Sequence, residues 1–181
     1  MIQGMFRSCC ISLFLMALCL ALFSGCIFGL DRRGGVLQYD AGRVLTARGT
    51  FFVPKMAKPW KSPRILLKQL VHENDAIGAT IVTDALCGPK FDDAPLPLLA
   101  EEMFHRLDNR RFGPSLKKTV AGHEGLEIRG QGTLDGVPVK MAVVVMKRDL
   151  CLYDFSYFTA PDKFGKGWKD FEDYLDGIKI H

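Results

Sequence analysis

Outside its first 26 residues, this chain has few of the residue types from which catalytic sites are recognised. Only two cysteines, Cys87 and Cys151, and three serines follow that segment. The pattern Gly-x-Ser-x-Gly, the pair Cys-x-x-Cys and a glycine-rich phosphate loop ending in lysine are all missing. The sequence therefore carries no signature of a hydrolase, a redox pair or a nucleotide site. We expect a protein that is not an enzyme and has no cofactor and no metal.

Two groups of residues leave open the alternative of a weak hydrolase or a metal-dependent enzyme. Glu102 and His105 are three residues apart in a predicted helix, so both side chains would lie on one face. A di-metal site needs further carboxylates from other helices, and this chain offers one such pair. Either late cysteine could serve as a nucleophile beside a histidine, but no spacing supports that pairing.

Neither sign of charge is in large excess in this chain. The chain has 24 basic and 20 acidic residues and a formal net charge of +4. This charge falls by one if Arg7 is removed with a leader peptide. Such a mild excess gives no argument for nucleic acid as a partner, and we expect none.

The N-terminal segment carries no charge between Ser8 and Leu30. Arg7 precedes an apolar run over residues 9–23, and the run ends at Ser24-Gly25-Cys26. A basic start, a hydrophobic core and small residues before a cleavage point predict a secretory signal peptide. The small pair directly before a cysteine resembles the lipobox of bacterial lipoproteins, with Phe23 at the position where leucine is usual.

This resemblance implies cleavage before Cys26 and acyl chains such as palmitate on that cysteine. Residues 1–25 would be the signal peptide, 26–35 the lipidated Cys26 with a short tether, and 36–181 the folded domain. Two or three acyl chains anchor a protein stably, whereas one chain anchors it only marginally. Ile27, in place of an aspartate, favours the outer membrane facing the periplasm. The alternative is an inner-membrane protein with an uncleaved helix, since the uncharged stretch is long enough to span.

Two cysteines remain once the leader and Cys26 are set aside. In an oxidising compartment Cys87 and Cys151 could form a disulfide. Each could equally be a small buried hydrophobic residue, as free cysteines often are. The Cα separation that decides between them is not readable from a sequence, so both alternatives stay open.

Alternation and turn signals predict strands over most of the domain. The early strands are expected at residues 36–39, 43–53, 65–72 and 76–86. A three-stranded meander follows at residues 126–134, 139–146 and 151–159. Asp135-Gly136 is the strongest hairpin signal, because both residues accept positive φ. The middle strand of the meander is apolar on both faces, so we expect it to be covered on both.

Two amphipathic helices are predicted as the covers, one from Leu96 to about Asn109 and one from Asp162 to Asp176. The second carries the apolar stripe Phe164, Trp168, Phe171 and Leu175. The predicted fold class is therefore α+β, an antiparallel sheet covered by helices. The order of Phe52-Val53-Pro54, a loop with Trp60, a hairpin, a leucine-rich helix, a glycine-containing meander and a Phe/Trp helix resembles the PsbP-like fold. That resemblance implies a single-domain α/β/α sandwich acting as a binding or assembly module, and it transfers no site residue.

One loop is a candidate for surface binding. Residues 54–64 contain Lys55, Lys58, Trp60, Lys61 and Arg64 without an acidic residue among them. Such a loop could rest on anionic lipid headgroups or receive an acidic envelope protein. The alternative is a solvated loop with Trp60 in the core.

A strand face with Tyr153, Phe155 and Tyr157 is expected to be core beneath the second helix, or else the wall of an apolar pocket. The sequence thus predicts a lipid-anchored cell-envelope protein that acts as a non-catalytic binding or assembly module. A carrier of a small apolar or lipid-like ligand is the alternative.

Overall fold

The computed structural model describes residues 35–88, 91 and 94–180, which lie within one compact unit, Arg33–His181. The predicted signal peptide and the predicted lipid site at Cys26 lie outside the described residues. Within the described ranges, no helix is long and apolar enough to cross a membrane.

Twelve strands and two helices make up the described part of the domain. The first six strands are β1 (Val36–Asp40), β2 (Arg43–Thr46), β3 (Gly49–Phe52), β4 (Arg64–Leu66), β5 (Gln69–Asn74) and β6 (Ala79–Cys87). They are followed by helix α1 (Leu96–Glu102), β7 (Asp108–Phe112), β8 (Leu116–Val120), β9 (His123–Leu134), β10 (Val137–Arg148) and β11 (Cys151–Thr159). A 3-10 turn (Pro161–Lys163), helix α2 (Phe164–Asp176) and β12 (Lys179–Ile180) complete the chain.

A small antiparallel sheet has the order β1-β2-β3-β12. The single strand predicted over residues 43–53 is wrong, because the chain turns between Thr46 and Gly49. The Thr46 hydroxyl donates to the Gly49 carbonyl at 3.0 Å and accepts from the Arg48 N–H at 3.3 Å. A short polar side chain thus stabilises a turn that the apolar alternation does not reveal.

The large sheet has the order β4-β5-β6-β11-β10-β9-β7, with β8 also paired to β9. The predicted meander is confirmed, since β9, β10 and β11 are sequential antiparallel neighbours. The predicted hairpin is confirmed as well: Asp135 and Gly136 have φ values of 50° and 81°. The single strand predicted over residues 65–72 is wrong, because Leu67 and Lys68 form a tight turn with φ values of 50° and 65°.

Strand β10 lies between two hydrophobic layers. All residues from Ala142 to Met146 are 0% exposed, which confirms the expected cover on both faces. Ala142, Val144 and Met146 face a core shared with α2 and the small sheet, whereas Val143 and Val145 face a core shared with α1. The predicted antiparallel sheet of a single domain is therefore present. One face of this sheet is covered by α2 together with the small sheet, and not by a helix alone as predicted.

The α1 cover is shorter than predicted. The helix ends at Glu102, and a series of turns then buries Phe104 and Leu107 against the sheet. Two glycines of β9 permit this close packing. A Cβ on Gly130 would lie 2.8 Å from the Phe104 ring, and one on Gly132 would lie 2.5 Å from a backbone oxygen of the adjacent strand.

Helix α2 follows the predicted pattern in most positions. Phe164, Phe171 and Leu175 are buried. Trp168 is only half-buried, and the Arg129 guanidinium lies 3.9 Å from the centre of its ring. Gly177 ends the helix with an ordinary φ of −83°, so its left-handed freedom is not used. Its lack of a side chain matters instead, because a Cβ would lie 2.6 Å from Pro54.

A disulfide joins Cys87 in β6 to Cys151 in β11, with an S–S distance of 2.10 Å. The two residues are direct partners in the antiparallel ladder. The disulfide therefore links two central strands of the large sheet, at the last residue of β6 and the first residue of β11.

Two aspartates of neighbouring strands are buried side by side on the α1 face of the sheet. Asp154 in β11 is the ladder partner of Asp84 in β6, and the two are 0% and 5% exposed. Asp84 accepts hydrogen bonds from Gln69 Nε2 and its own neighbour's N–H, whereas both Asp154 oxygens are buried without a hydrogen bond. Burial, reinforced by the Asp84 carboxyl, raises the pKa of Asp154 well above its usual value.

We predict that Asp154→Asn changes the pH dependence of stability. Because the folded-state pKa of Asp154 is raised, wild-type stability falls as pH rises from about 4 toward that pKa, by up to about 1.4 kcal/mol per pH unit. The amide does not ionise, so the stability of the variant relative to wild type should increase as pH rises. Urea unfolding of both proteins at pH 4 and pH 7 measures this gain. Asp149→Asn, at an exposed turn, is the control, and an Asp154→Asn difference that does not vary with pH contradicts the prediction.

Candidate functional site

The loop between β3 and β4, residues 53–63, is tied to the domain at both ends. The Val53 N–H donates to the Gly42 carbonyl, and the Lys61 N–H donates to the Glu73 carbonyl, each at 2.8 Å. Pro54, Pro59 and Pro63 lack the N–H groups that strand pairing requires. The segment therefore remains a loop, here called the cleft loop.

Trp60 holds the middle of the cleft loop against the core. Its side chain is 6% exposed and packs with the cluster that includes α2. The indole Nε1–H donates to Asp170 Oδ2 of α2 at 2.9 Å. Of the two alternatives for Trp60, the one that places it in the core agrees with this burial, and the residue anchors the loop to the helix.

A cleft with a volume of about 800 Å³ lies beside this loop. Its lining combines aromatic, apolar and basic side chains, and it contains no aspartate or glutamate. The lining residues are Tyr39, Ala41, Lys55, Met56, Lys58, Pro59, Trp60, Lys61, Ser62, Pro63 and His72. Most of the predicted basic loop thus forms one wall of a concave site.

The four predicted cations of the loop have different environments. Lys61 pairs with Asp75 at 2.6 Å, and Arg64, which begins β4, pairs with Glu73 at 2.7 Å. The expectation of cations without a nearby acid is corrected for these two, since the β5–β6 hairpin brings both acids across the loop. Lys55 and Lys58 are exposed and make no ion pair within the described part of the chain.

His72 is a buried polar residue in the lining of the cleft. It lies in β5, is 1% exposed and makes an edge contact with the Tyr174 ring at 5.2 Å. Its Nδ1 is buried without a hydrogen bond. Burial lowers the pKa of His72 to about 4, so the ring is neutral near pH 7. A neutral imidazole offers one donor and one acceptor.

Sequence reasoning missed His72 as a site residue. It follows the apolar pair Leu70-Val71, and a histidine in such a run is most simply a core residue. The signal that it lines a cleft is the distant loop folded across β5, which no local pattern encodes.

A smaller recess of about 240 Å³ also borders the cleft loop. It shares Lys55, Met56, Lys58 and Trp60 with the main cleft but also includes Asp170 and Asp173 of α2. Lys55 and Lys58 therefore line both a cleft without acidic side chains and a recess that contains two carboxylates.

The other predicted candidates do not form a site. Phe155 and Tyr157 are 0% exposed, and Tyr157 stacks on Phe171 at 5.5 Å, so this strand face is core. Burial raises the pKa of Tyr157 to about 12, and its hydroxyl donates to the Phe164 carbonyl at 3.0 Å. His105 lies beyond the end of α1, with its Nδ1 2.8 Å from the Glu102 carbonyl oxygen. Among the described residues, no three histidine, cysteine or acidic side chains are grouped to hold a metal.

The fold is similar to that of several solved structures, at low sequence identity. PA94 from Pseudomonas aeruginosa, a protein of unknown function, matches with a TM-score of 0.53 and 11% identity over 82% of this chain and 98% of that one. LpqN, involved in cell envelope biogenesis of Mycobacterium tuberculosis, matches with a TM-score of 0.51 and 14% identity over 72% of this chain and 82% of that one.

Cyanobacterial PsbP (CyanoP) from Synechocystis sp. PCC 6803 matches with a TM-score of 0.50 and 10% identity, over 87% of this chain and 98% of that one. No family model and no curated protein matches the sequence. At these identities the likeness shows the fold alone, which is PsbP-like, as the sequence resemblance implies.

We predict that the bond between Trp60 and Asp170 stabilises the cleft loop on α2. Trp60→Phe keeps an aromatic ring but removes the donor, and we expect a loss of about 1–2 kcal/mol in the free energy of unfolding, since the acceptor is charged. A double-mutant cycle with Asp170→Asn, measured by urea unfolding, isolates this interaction. Trp168→Phe is the control, because its indole N–H makes no hydrogen bond in the described part. Strict additivity of the Trp60 and Asp170 changes would contradict the assignment.

Proposed function

We propose that this chain is a lipid-anchored cell-envelope protein that acts as a non-catalytic binding module, with the main cleft as its binding site. The observation that carries the proposal is the lining of that cleft. Lys55 and Lys58, exposed and without an ion pair among the described residues, line the cleft together with His72, whose Nδ1 is buried and unpartnered, and the lining contains no acidic side chain.

The lining indicates the chemistry of the ligand. A volume of about 800 Å³ is in the range of small-molecule sites. Met56, Pro59 and Tyr39 offer apolar contact, while the lysines attract negative charge and His72 offers a hydrogen bond. The ligand that fits is a small molecule with an anionic group beside an apolar body. This favours the carrier of a lipid-like ligand as the specific form of the binding role.

Three observations support a non-catalytic role. Ser62 and His72 both line the cleft, but His72 Nδ1 has no acceptor to orient the ring as a base. A pKa near 4 also makes His72 a weak base. Cys87 and Cys151 are bonded to each other and offer no thiolate.

The leader and the fold together support a place in the envelope. The Ser24-Gly25-Cys26 sequence is the basis for lipidation at Cys26, and Ile27 in place of an aspartate is the basis for the outer membrane facing the periplasm. LpqN, which shares the fold, is involved in cell envelope biogenesis. A role in binding envelope components is in keeping with both, and an envelope protein partner would then meet the domain at the membrane surface.

We predict that Cys26 is acylated. Metabolic labelling with an alkyne fatty acid should label the wild-type protein and place it in the membrane fraction. Cys26→Ala should remain unlabelled and keep its leader, since the modified cysteine is where processing occurs. Cys19→Ala, within the leader, is the matched control and should process normally. An unlabelled wild-type protein that retains residues 1–25 supports the transmembrane alternative instead.

We predict that the cleft binds an anionic amphiphile. In a Trp168→Phe background Trp60 is the sole tryptophan, because the chain has two, so its fluorescence reports on the cleft. Titration with octyl phosphate should give saturable binding that weakens with salt, whereas neutral octyl glucoside should bind poorly. Lys55→Glu with Lys58→Glu should weaken octyl phosphate binding by about tenfold or more, corresponding to about 1.4 kcal/mol.

The matched control for this titration reverses two exposed lysines elsewhere, Lys166→Glu with Lys179→Glu, and should bind as wild type does. Equal affinity of all three proteins, or no saturable binding by wild type, would remove the cleft as an anion-binding site.

A further inference from the structure

The turn between β4 and β5 presents a leucine to solvent. Leu67 and Lys68 occupy a two-residue hairpin turn with φ values of 50° and 65°. Such turns favour Asn-Gly, because both positions need left-handed backbone and a side chain with a Cβ disfavours it. Leu67 is nevertheless 74% exposed, and its neighbour Leu66 is 47% exposed. Both leucines contribute little to the core, and Leu67 occupies a turn position that disfavours it.

A second turn at the same end of the large sheet has the same character. Asp149 and Leu150, between β10 and β11, have φ values of 51° and 62°, and Leu150 is 40% exposed. Strand register places both turns at one end of the large sheet. Strand β5 begins there at Gln69, directly after the first turn. Strand β11 begins there at Cys151, directly after the second turn and opposite Cys87, the last residue of β6. The opposite end of the sheet carries the Asp135-Gly136 turn.

The domain begins at this end. The Val36 N–H donates to the Lys68 carbonyl at 2.6 Å, and Gly35 lies so close that a Cβ on it would be 2.7 Å from the Lys68 Cβ. Leu37, directly after this contact, is 51% exposed. Gly35, the first residue that the structure describes, therefore lies beside the hairpin turn.

The length of that connection limits which surface can face a bilayer. Eight residues lie between Cys26 and Gly35, so the connection of nine Cα–Cα steps spans about 30 Å at most. A domain of this size is roughly 40 Å across, with a radius of gyration of about 15 Å. An anchor at Cys26 thus keeps this end of the domain near the membrane.

We propose that Leu37, Leu66, Leu67, Lys68 and Leu150, here called the leucine end, rest on the phospholipid surface and orient the anchored domain. Exposed leucines beside a cation suit the boundary between headgroups and acyl chains, because apolar side chains insert and lysine attracts anionic headgroups. No ion pair within the described ranges holds Lys68. This inference rests on the proposed anchoring at Cys26.

The test uses the mature lipoprotein in vesicles of phosphatidylethanolamine and phosphatidylglycerol. An environment-sensitive NBD probe is attached at Leu67→Cys and, as control, at Val137→Cys, where Val137 is 61% exposed at the opposite end of β10. The probe at position 67 should show blue-shifted emission and strong quenching by lipids carrying a nitroxide near the headgroup. The probe at position 137 should behave as it does in water.

A turn variant separates membrane contact from folding. Leu67→Asn with Lys68→Gly matches the preference of the turn, so we expect an equal or higher melting temperature. Removing the leucine and the cation should nevertheless reduce nitroxide quenching of a probe at Leu150→Cys. A variant that melts higher and is quenched as strongly as its parent overturns the proposal.

The remaining outcomes distinguish this inference from the proposed function. Protein that co-floats with vesicles while the probe at 67 stays in water retains the anchor and overturns the leucine end. Equal burial of probes at 67 and 137 also overturns it, because contact is then unspecific. Protein that fails to co-float contradicts the anchor and, with it, this inference.

Discussion

Burial of strand β10 on both faces is the constraint on which the rest of the structure depends. Five consecutive residues from Ala142 to Met146 are 0% exposed, so the sheet needs two hydrophobic layers. A short helix with the turns after it covers one face. The other face is wider than a 13-residue helix can cover, and the small sheet completes the layer beside α2. The cleft loop closes the remaining gap by placing Trp60 in that core.

The cleft follows from this way of closing the second layer. Because Trp60 bonds to Asp170, the loop crosses β5 and forms a wall opposite His72. Lys61 and, at the start of β4, Arg64 meet acids of the β5–β6 hairpin, whereas Lys55 and Lys58 remain exposed. One short segment thus supplies an aromatic residue to the core and two exposed lysines to the cleft lining.

The sequence predicts the elements that depend on local rules. Asp135-Gly136 is specified by its φ requirement, the two-sided burial of β10 by its composition, and the face of α2 by the spacing of Phe164, Phe171 and Leu175. Prediction from the sequence fails where distant contacts determine the local structure or where a turn contains residues that it disfavours. Leu67 and Lys68 form a turn whose left-handed backbone disfavours both residues. Helix α1 ends early because Phe104 packs against Gly130. His72 lines the cleft only because a loop distant in the sequence folds beside it.

Photo-crosslinking in the producing organism tests most directly whether the main cleft holds a ligand in the cell. A photoreactive amino acid at Met56, which lines the cleft, should yield an adduct whose added mass corresponds to a small anionic amphiphile. The same amino acid at Val137, exposed and remote, should yield none. Equal adducts at both positions, or none at Met56 in folded and correctly localised protein, would contradict the account.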